Sequence, residues 1–324
     1  MATAGQRVGE YVLVAPIGAG AFGEVWRAEH HGWGGAVVAV KLPTDPGYVR
    51  LLQQEAAAVR RLDHPNIVRP LAFDPFAATP YLVTQFVDGP NLRAVLGHGP
   101  VPPGEAVAVL RQVLVGLRHA HAVGVVHGDV KPENVLLDAR AATPAGRLIP
   151  AGLAVAGTVR VTDFGLGTPA FGGGAGVGGA AGQSILFSAD AGAGGALAGT
   201  ARYMAPERLD GAAADVRGDL FACGVMLFEL LTGRRPAGLE VPSDLAPGTP
   251  AHLDEVYRKA VARREARFAS AGAFIAALDA RAATPGAWSR LRPAFTPTGV
   301  GIAFVVFVLV FGARALWRSI AGPA

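Results

Sequence analysis

Cysteine is nearly absent: Cys223 stands alone among 324 residues. That excludes an internal disulfide and any cysteine metal cluster, and it is compatible with a reducing compartment. Lysine is almost as scarce. Lys41, Lys131 and Lys259 are the only ones, and every other basic residue is arginine. Charged residues make up 17% of the chain, low for a soluble protein. No dense basic run suggests nucleic acid as a partner, and none is expected. The net charge is +4, and Arg290, Arg292, Arg314 and Arg318 near the C-terminus leave the main body near neutral. The first ten residues, MATAGQRVGE, lack the charged-then-apolar layout of a secretory signal. Nor is there a glycine at position 2 for myristoylation.

Apolar residues, in contrast, make up 51%, enough for one large domain or two lobes with a full core. The most informative stretch is Val126 to Leu137, V-H-G-D-V-K-P-E-N-V-L-L. It sets a carboxylate (Asp129), an ammonium (Lys131) and an amide (Asn134) between apolar flanks, Val125-Val126 and Val135 to Leu137, that read as short strands. A carboxylate can take a proton from a hydroxyl, an ammonium can neutralise a transferring phosphoryl, and an amide oxygen can hold a metal ion. Alone, D-x-K-x-x-N is equally a polar turn between two strands.

Upstream, Tyr11 to Val14 reads as a strand, followed by I-G-A-G-A-F-G-E-V and a second strand, Val25 to Ala28. Gly18, Gly20 and Gly23 have G-x-G-x-x-G spacing, which lets backbone N–H groups approach phosphates. A Rossmann glycine loop joins a strand to a helix. This one joins two strands, and Val25 completes G-x-G-x-x-G-x-V. Ala36 to Leu42 is an apolar strand with one charge, Lys41, in V-V-A-V-K. Tyr48 to Leu62 has helical spacing at Val49, Leu52, Ala56 and Val59. Its one internal acid, Glu55, is the natural partner for Lys41. Leu62 to Val68, L-D-H-P-N-I-V, ends that helix at a proline and begins a strand.

These motifs, in this order, resemble the eukaryotic-type (Hanks-type) Ser/Thr protein kinases of bacteria, over roughly Val8 to Leu278. The resemblance implies an α+β bilobal protein-kinase fold. Its domains would be a short tail (1–10), a small β-rich N-lobe (11–87) and a larger α-helical C-lobe (88–281). ATP would be bound by Ile17, Gly18, Ala19, Gly20, Ala21, Phe22, Gly23, Val25, Ala39, Lys41, Glu55, Gln85, Val87 and Leu136. Thr84 would be the small gatekeeper in Y-L-V-T-Q-F-V-D-G. Asp129 would be the catalytic base, assisted by Lys131, which sits two residues on as in Ser/Thr kinases. Asn134 and Asp163, the latter in D-F-G, would hold Mg2+, with Mn2+ an alternative. G-T-A-R-Y-M-A-P-E-R matches the A-P-E region. There Thr200 resembles the threonine that contacts the catalytic loop, and Glu207 is expected to pair with Arg267. Asp219 would brace the catalytic loop from a buried helix that also carries Cys223, expected to be packed and inert. Protein Ser/Thr hydroxyls would be the acceptors. His119 and His121, in the last turn of the helix Gly104 to Ala122, suit the helix dipole rather than a metal.

The sequence departs from that pattern in four places. H-R-D is His127-Gly128-Asp129, which removes the arginine that reads a phosphorylated activation loop. Ala139 to Thr158 lengthens a hairpin. Gly165 to Gly199 is mostly Gly and Ala, costly to order. Arg234 to Pro250 is short, so the helix after the buried one is expected to be truncated or absent. Gly128, the Gly/Ala-rich segment and the shortened stretch after Gly233 support an alternative, a catalytically weak pseudokinase acting as a membrane-tethered ATP-binding scaffold.

Beyond a proline-containing linker (282–297), no charge occurs from Pro293 to Ala313. This predicts a single transmembrane helix, 298–316, followed by a short tail (317–324). Trp317 and the flanking arginines suit the interface. The lipid bilayer is thus an expected partner. The chain would sit in the cell (inner) membrane as a single-pass protein, its ATP-using domain cytoplasmic. Gly299 and Ala303 form a small-xxx-small pair, which alone is a weak homodimer cue.

Overall fold

The computed structural model describes residues 2–20, 23–138, 159–164 and 201–280. Ala21, Phe22, Thr200, the two Ala/Gly-rich segments, the linker and the expected membrane helix lie outside them.

An antiparallel sheet of six strands forms the N-terminal part, in the order β1-β2-β3-β4-β6-β5. Its strands are β1 (Arg7–Val8), β2 (Tyr11–Gly20), β3 (Gly23–His30), β4 (Val37–Pro43), β5 (Pro70–Asp74) and β6 (Tyr81–Gln85). Alternation drives the layout. Trp26 and Ala28 on β3 and Val38 and Val40 on β4 bury one face with Leu13 and Val83. Val8, in the stretch read as a tail, is buried there too, and β1 pairs with β2.

Helix α1 (Val49–Val59) packs Leu52 and Ala56 on Leu82. It is shorter than its periodicity suggested. Tyr48 belongs to a preceding 3-10 turn, its N–H on the Asp45 carbonyl, and at the other end Leu62 turns inward to donate to Val59. The strand expected from Ile67-Val68 starts only at Pro70. The reason is competition: Val68 N–H bonds to the Val161 carbonyl, and Val161 N–H to that of Asn66. That segment therefore serves the two-stranded sheet of β7 (Val135–Leu137) and β8 (Val159–Val161). Val125-Val126 forms no strand either. Val125 N–H caps the preceding helix at Ala120, while its side chain is buried.

The helical part comprises α2 (Leu92–Leu96), α3 (Pro103–Ala122), α4 (Pro206–Leu209), α5 (Val216–Thr232), α6 (Pro242–Leu245), α7 (Ala251–Ala260) and α8 (Ala271–Asp279). α3 starts with Pro103 in its first turn and buries Val109, Leu110, Val113, Leu114 and Leu117 at helical spacing. α5 is apolar on nearly every side and buried accordingly. Asp215 caps it by accepting the Gly218 N–H at 2.7 Å, and Gly233, at φ 70°, ends it. Gly224 lets α7 approach: a Cβ there would lie 2.6 Å from that of Ala260. α6, four residues long, is the truncated helix expected between 234 and 250. Among the described residues, no helix is long and apolar enough to cross a membrane.

Candidate active site

Two networks build the site. The first spans β4, α1 and the residues after β8. Lys41 Nζ donates to Glu55 Oε2 at 2.7 Å and to Asp163 Oδ1 at 3.0 Å. Burial works against the ammonium, but the two carboxylates outweigh it and hold Lys41 above its usual range. Burial wins on Glu55, which is pushed up to about 7 despite Lys41. Asp163 ends below the usual carboxylate range, because Lys41 overcomes the burial penalty. Asp163 is also the one non-glycine at positive φ among the described residues, at 60°. Aspartate bears that backbone better than most residues, and local strain of this kind marks functional positions.

The second network is the loop from His127 to Asn134. Asp219, buried on α5, accepts the His127 N–H at 2.9 Å, the Gly128 N–H at 2.8 Å and His121 Nε2 at 2.8 Å. So His121, read as a dipole-facing residue, braces the brace. Gly128 sits at φ 78°, where glycine costs least. His127 Nδ1 accepts the Asp129 N–H at 3.2 Å, which leaves Nε2–H to donate to the Thr162 carbonyl at 2.9 Å. Its ring lies 4.6 Å from that of Phe164. The loop is thereby tied to the residues flanking Asp163.

Asp129 is held by two neighbours. Lys131 Nζ lies 2.6 Å from Oδ2, and Asn134 Nδ2 donates to the Asp129 carbonyl at 2.9 Å and to Oδ2 at 3.2 Å. Burial raises the Asp129 carboxyl above the usual range, opposed by Lys131. A raised carboxyl suits a group that must take up a proton. Thr162 N–H bonds to the Asn134 carbonyl at 3.0 Å, bringing Asn134 and Asp163 onto adjacent backbone. With Asn134 Nδ2 committed, its Oδ1 remains to join an ionised Asp163. Among the described residues no cluster of three or more His, Cys, Asp or Glu could hold a metal ion. Two hard oxygen donors fit Mg2+, which keeps most of its other positions for water and phosphate.

The glycine-loop residues sit on the hairpin of β2 and β3. Gly18 pairs with Val25, Ala19 with Glu24 and Gly20 with Gly23, while Val25 pairs with Lys41 across β3 and β4. Gly23 is required: a Cβ would lie 2.3 Å from the Leu42 carbonyl oxygen. Ile17 is half exposed, Ala39 pairs with the half-buried Thr84, and Gln85 leads into the buried Val87. The following segment runs beside β7, with Asn91 bridged to Leu136 and Leu137 N–H on the Pro90 carbonyl. Ala21 and Phe22 lie outside the described residues.

On α4, Glu207 meets Arg267 in two parallel bonds, 2.5 and 2.9 Å, as the sequence suggested. Sequence reasoning missed a third assembly. Arg93 on α2 joins Glu133, Glu229 and Tyr203, four residues with no spacing pattern to link them.

A family model described as the protein kinase domain matches residues 11–247. The chain is 36% identical over 296 residues to the serine/threonine-protein kinase Pkn1 of Myxococcus xanthus, which covers 85% of this chain and 38% of that protein. It is 30% identical over 274 residues to the probable serine/threonine-protein kinase PknB of Lactococcus lactis (78% and 39%). It is also 30% identical over 239 residues to the serine/threonine-protein kinase PrkC of Bacillus subtilis (72% and 32%). The match thus spans less than two fifths of the length of these relatives.

Proposed function

Because the chain belongs to the protein kinase family, we propose that it transfers the γ-phosphoryl of ATP to Ser or Thr hydroxyls of proteins, from a membrane-anchored position. One observation carries the reading: Lys41 held between Glu55 and Asp163, close by a loop in which Lys131 and Asn134 fix Asp129.

Lys41, positioned by Glu55, binds the α- and β-phosphates. Asp129 orients the acceptor hydroxyl and takes its proton as the new O–P bond forms and the bond to ADP breaks. Lys131 neutralises charge on the phosphoryl in transit. Asn134 and Asp163 hold Mg2+, or Mn2+, which when bound neutralises phosphate charge. The work is positioning and charge stabilisation, as phosphoryl transfer demands. The membrane anchor, 298–316, is supported by the apolar run that stays uncharged as far as Ala313, with Arg314 at its end and Trp317 beside it. ATP use then places the kinase domain on the cytoplasmic side.

The test is phosphate transfer from labelled ATP by the full chain, beside its Lys41→Met and Asp129→Asn variants. Both should lose at least about 100-fold, Asp129→Asn as a positioned acid–base group and Lys41→Met as a cation aimed at the phosphates, with Asp129→Asn still binding ATP. Transfer unchanged in Asp129→Asn removes the assignment of the base. For the anchor, the full chain should stay with membranes through alkaline carbonate extraction, and release into the supernatant ends that part of the proposal.

A further inference from the structure

Four elements meet at one side chain outside the network already assigned. Arg93 Nε donates to Glu133 Oε1 at 2.8 Å, and Nη1 to Glu229 Oε1 at 2.6 Å. Nη2 donates to the Tyr203 hydroxyl, which in turn donates to Glu229 Oε2. Glu229 is buried on α5, and Arg235 Nε approaches its Oε1 at 3.9 Å. Glu133 lies in the short 3-10 turn Pro132–Asn134, between Lys131 and Asn134, the two residues that hold Asp129. Tyr203 ends the 3-10 turn Ala201–Tyr203 and leads into Met204, Ala205 and α4.

The charge arithmetic explains why an arginine stands there. Two carboxylates from separate elements approach one point, and one of them is buried. A planar guanidinium donates from Nε and both Nη groups at once, which a lysine ammonium cannot reproduce in that fork. Burial works against the Arg93 charge, but the bonds to Glu229 and Glu133 outweigh it and raise its pKa. Burial first, and then Glu229, push the Tyr203 hydroxyl above its usual range, opposed by Arg93.

A small cleft is lined by Gly128, Asp129 and Val130 together with Tyr203, Met204 and Ala205. Gly128 has no side chain to reach across it. Arg93, beside the cleft rather than in it, joins the two segments by another route, through Glu133 of the loop that carries Asp129 and through Tyr203. We propose that Arg93 is a positioning residue that couples the segment around Tyr203 to the loop carrying Asp129, a role that residue 128 cannot fill in this chain. The proposal deepens the kinase reading and rests on it for its catalytic consequence. Its geometric core, that two segments are held through one guanidinium, can be measured without activity.

The full chain is compared as wild type, Arg93→Ala, Arg93→Lys and Tyr203→Phe, by amide hydrogen exchange and by phosphate transfer per bound ATP. Arg93→Ala should raise exchange about tenfold in both 127–135 and 203–209, a size usual for side chains that share one network. The strands 11–43 and 81–85 should be unchanged. Its kcat should fall about tenfold with the KM for ATP within about twofold. Arg93→Lys should restore less than half of the loss. Tyr203→Phe, which removes one hydroxyl and is the milder lesion, should loosen 203–209 more than 127–135. Loosening spread evenly over the molecule, with kcat per ATP site unchanged, overturns the coupling. So does exchange identical to wild type in both segments. If the segments loosen together while even the wild type transfers nothing, the coupling stands and the kinase reading falls.

Discussion

Glu55 and Glu207 each face a single cation, and their carboxyls are displaced in opposite directions. Glu55 is pushed up to about 7, burial outweighing Lys41. For Glu207 burial again pushes upward, but the Arg267 hydrogen bonds prevail and hold it below the usual range. The difference lies in geometry. Arg267 gives Glu207 two parallel bonds and is itself buried, with further bonds to the Ala262 and Arg217 carbonyls. Lys41 offers one point charge and shares it with Asp163. The first pair is a clamp inside one packed part of the molecule. The second is a divided contact between β4, α1 and the residues after β8. α1 itself rests on the small cluster of Leu52, Ala56 and Leu82. A divided contact can be remade when phosphates arrive, and a clamp cannot be opened without cost.

Cutting each pair at its cation should separate these roles most sharply. Arg267→Ala leaves Glu207 facing a vacated site and the Ala262 and Arg217 carbonyls without that donor. A loss of about 3 kcal/mol is expected, the low end for breaking a buried pair because Glu207 is partly exposed, read from the urea midpoint of the full chain. Lys41→Met should cost much less stability, since Glu55 can stay protonated, yet remove ATP-dependent transfer. Equal stability losses in the two variants would erase the distinction between clamp and contact.

Acidity offers a second, smaller test. The Glu207 carboxyl is depressed, so its contribution is present above about pH 4.5, the ordinary glutamate range. It is lost as pH falls through the lower folded value. Glu55 runs the other way. Its folded value is raised, so its favourable contribution is complete below about 4.5, and is lost as pH rises through about 7. Its pairing with Lys41 strengthens over that same rise, because only the ionised form attracts the ammonium. Glu207→Gln should therefore flatten the acid limb of a stability profile. Glu55→Gln should flatten the region from about pH 5 to about 7 and leave ATP affinity insensitive to pH there. Profiles that stay parallel to wild type in both variants contradict the opposite shifts.

What could be read in the sequence follows the same division. Pairings set by local motifs are legible: Lys41 is the one charge on its strand, Glu55 is the one acid on its helix, and Asp129, Lys131 and Asn134 share one loop. The pairing of Glu207 with Arg267 was accessible too, because the A-P-E motif demands a distal arginine. Strand and helix limits were less so. Ile67 and Val68 have strand chemistry, but Val161 claims the segment, its carbonyl accepting the Val68 N–H and its N–H donating to the Asn66 carbonyl. His121 reads from the sequence as a residue facing the helix dipole, and only the fold shows Asp219 within reach. Arg93 and its three partners come from four separate elements. No period or motif joins them, since their union arises from tertiary packing alone.

Cys223 completes the series, as a buried acid whose thiol is shifted by burial and by Asp219, with no cation among the causes. It lies on α5, fully buried, and burial with a smaller push from Asp219 raises its thiol well above the ordinary range. Only the thiolate reacts at a useful rate. The folded chain at about pH 8 should therefore resist alkylation that goes to completion once urea unfolds it, and because there is one cysteine the label counts molecules directly. Cys223→Ala should cost only about 1 kcal/mol, for lost packing rather than lost chemistry, and leave phosphate transfer unchanged. Rapid labelling of the folded chain would mean that water reaches α5, and then the burial that sets Glu55 apart from Glu207 could not be argued from packing alone.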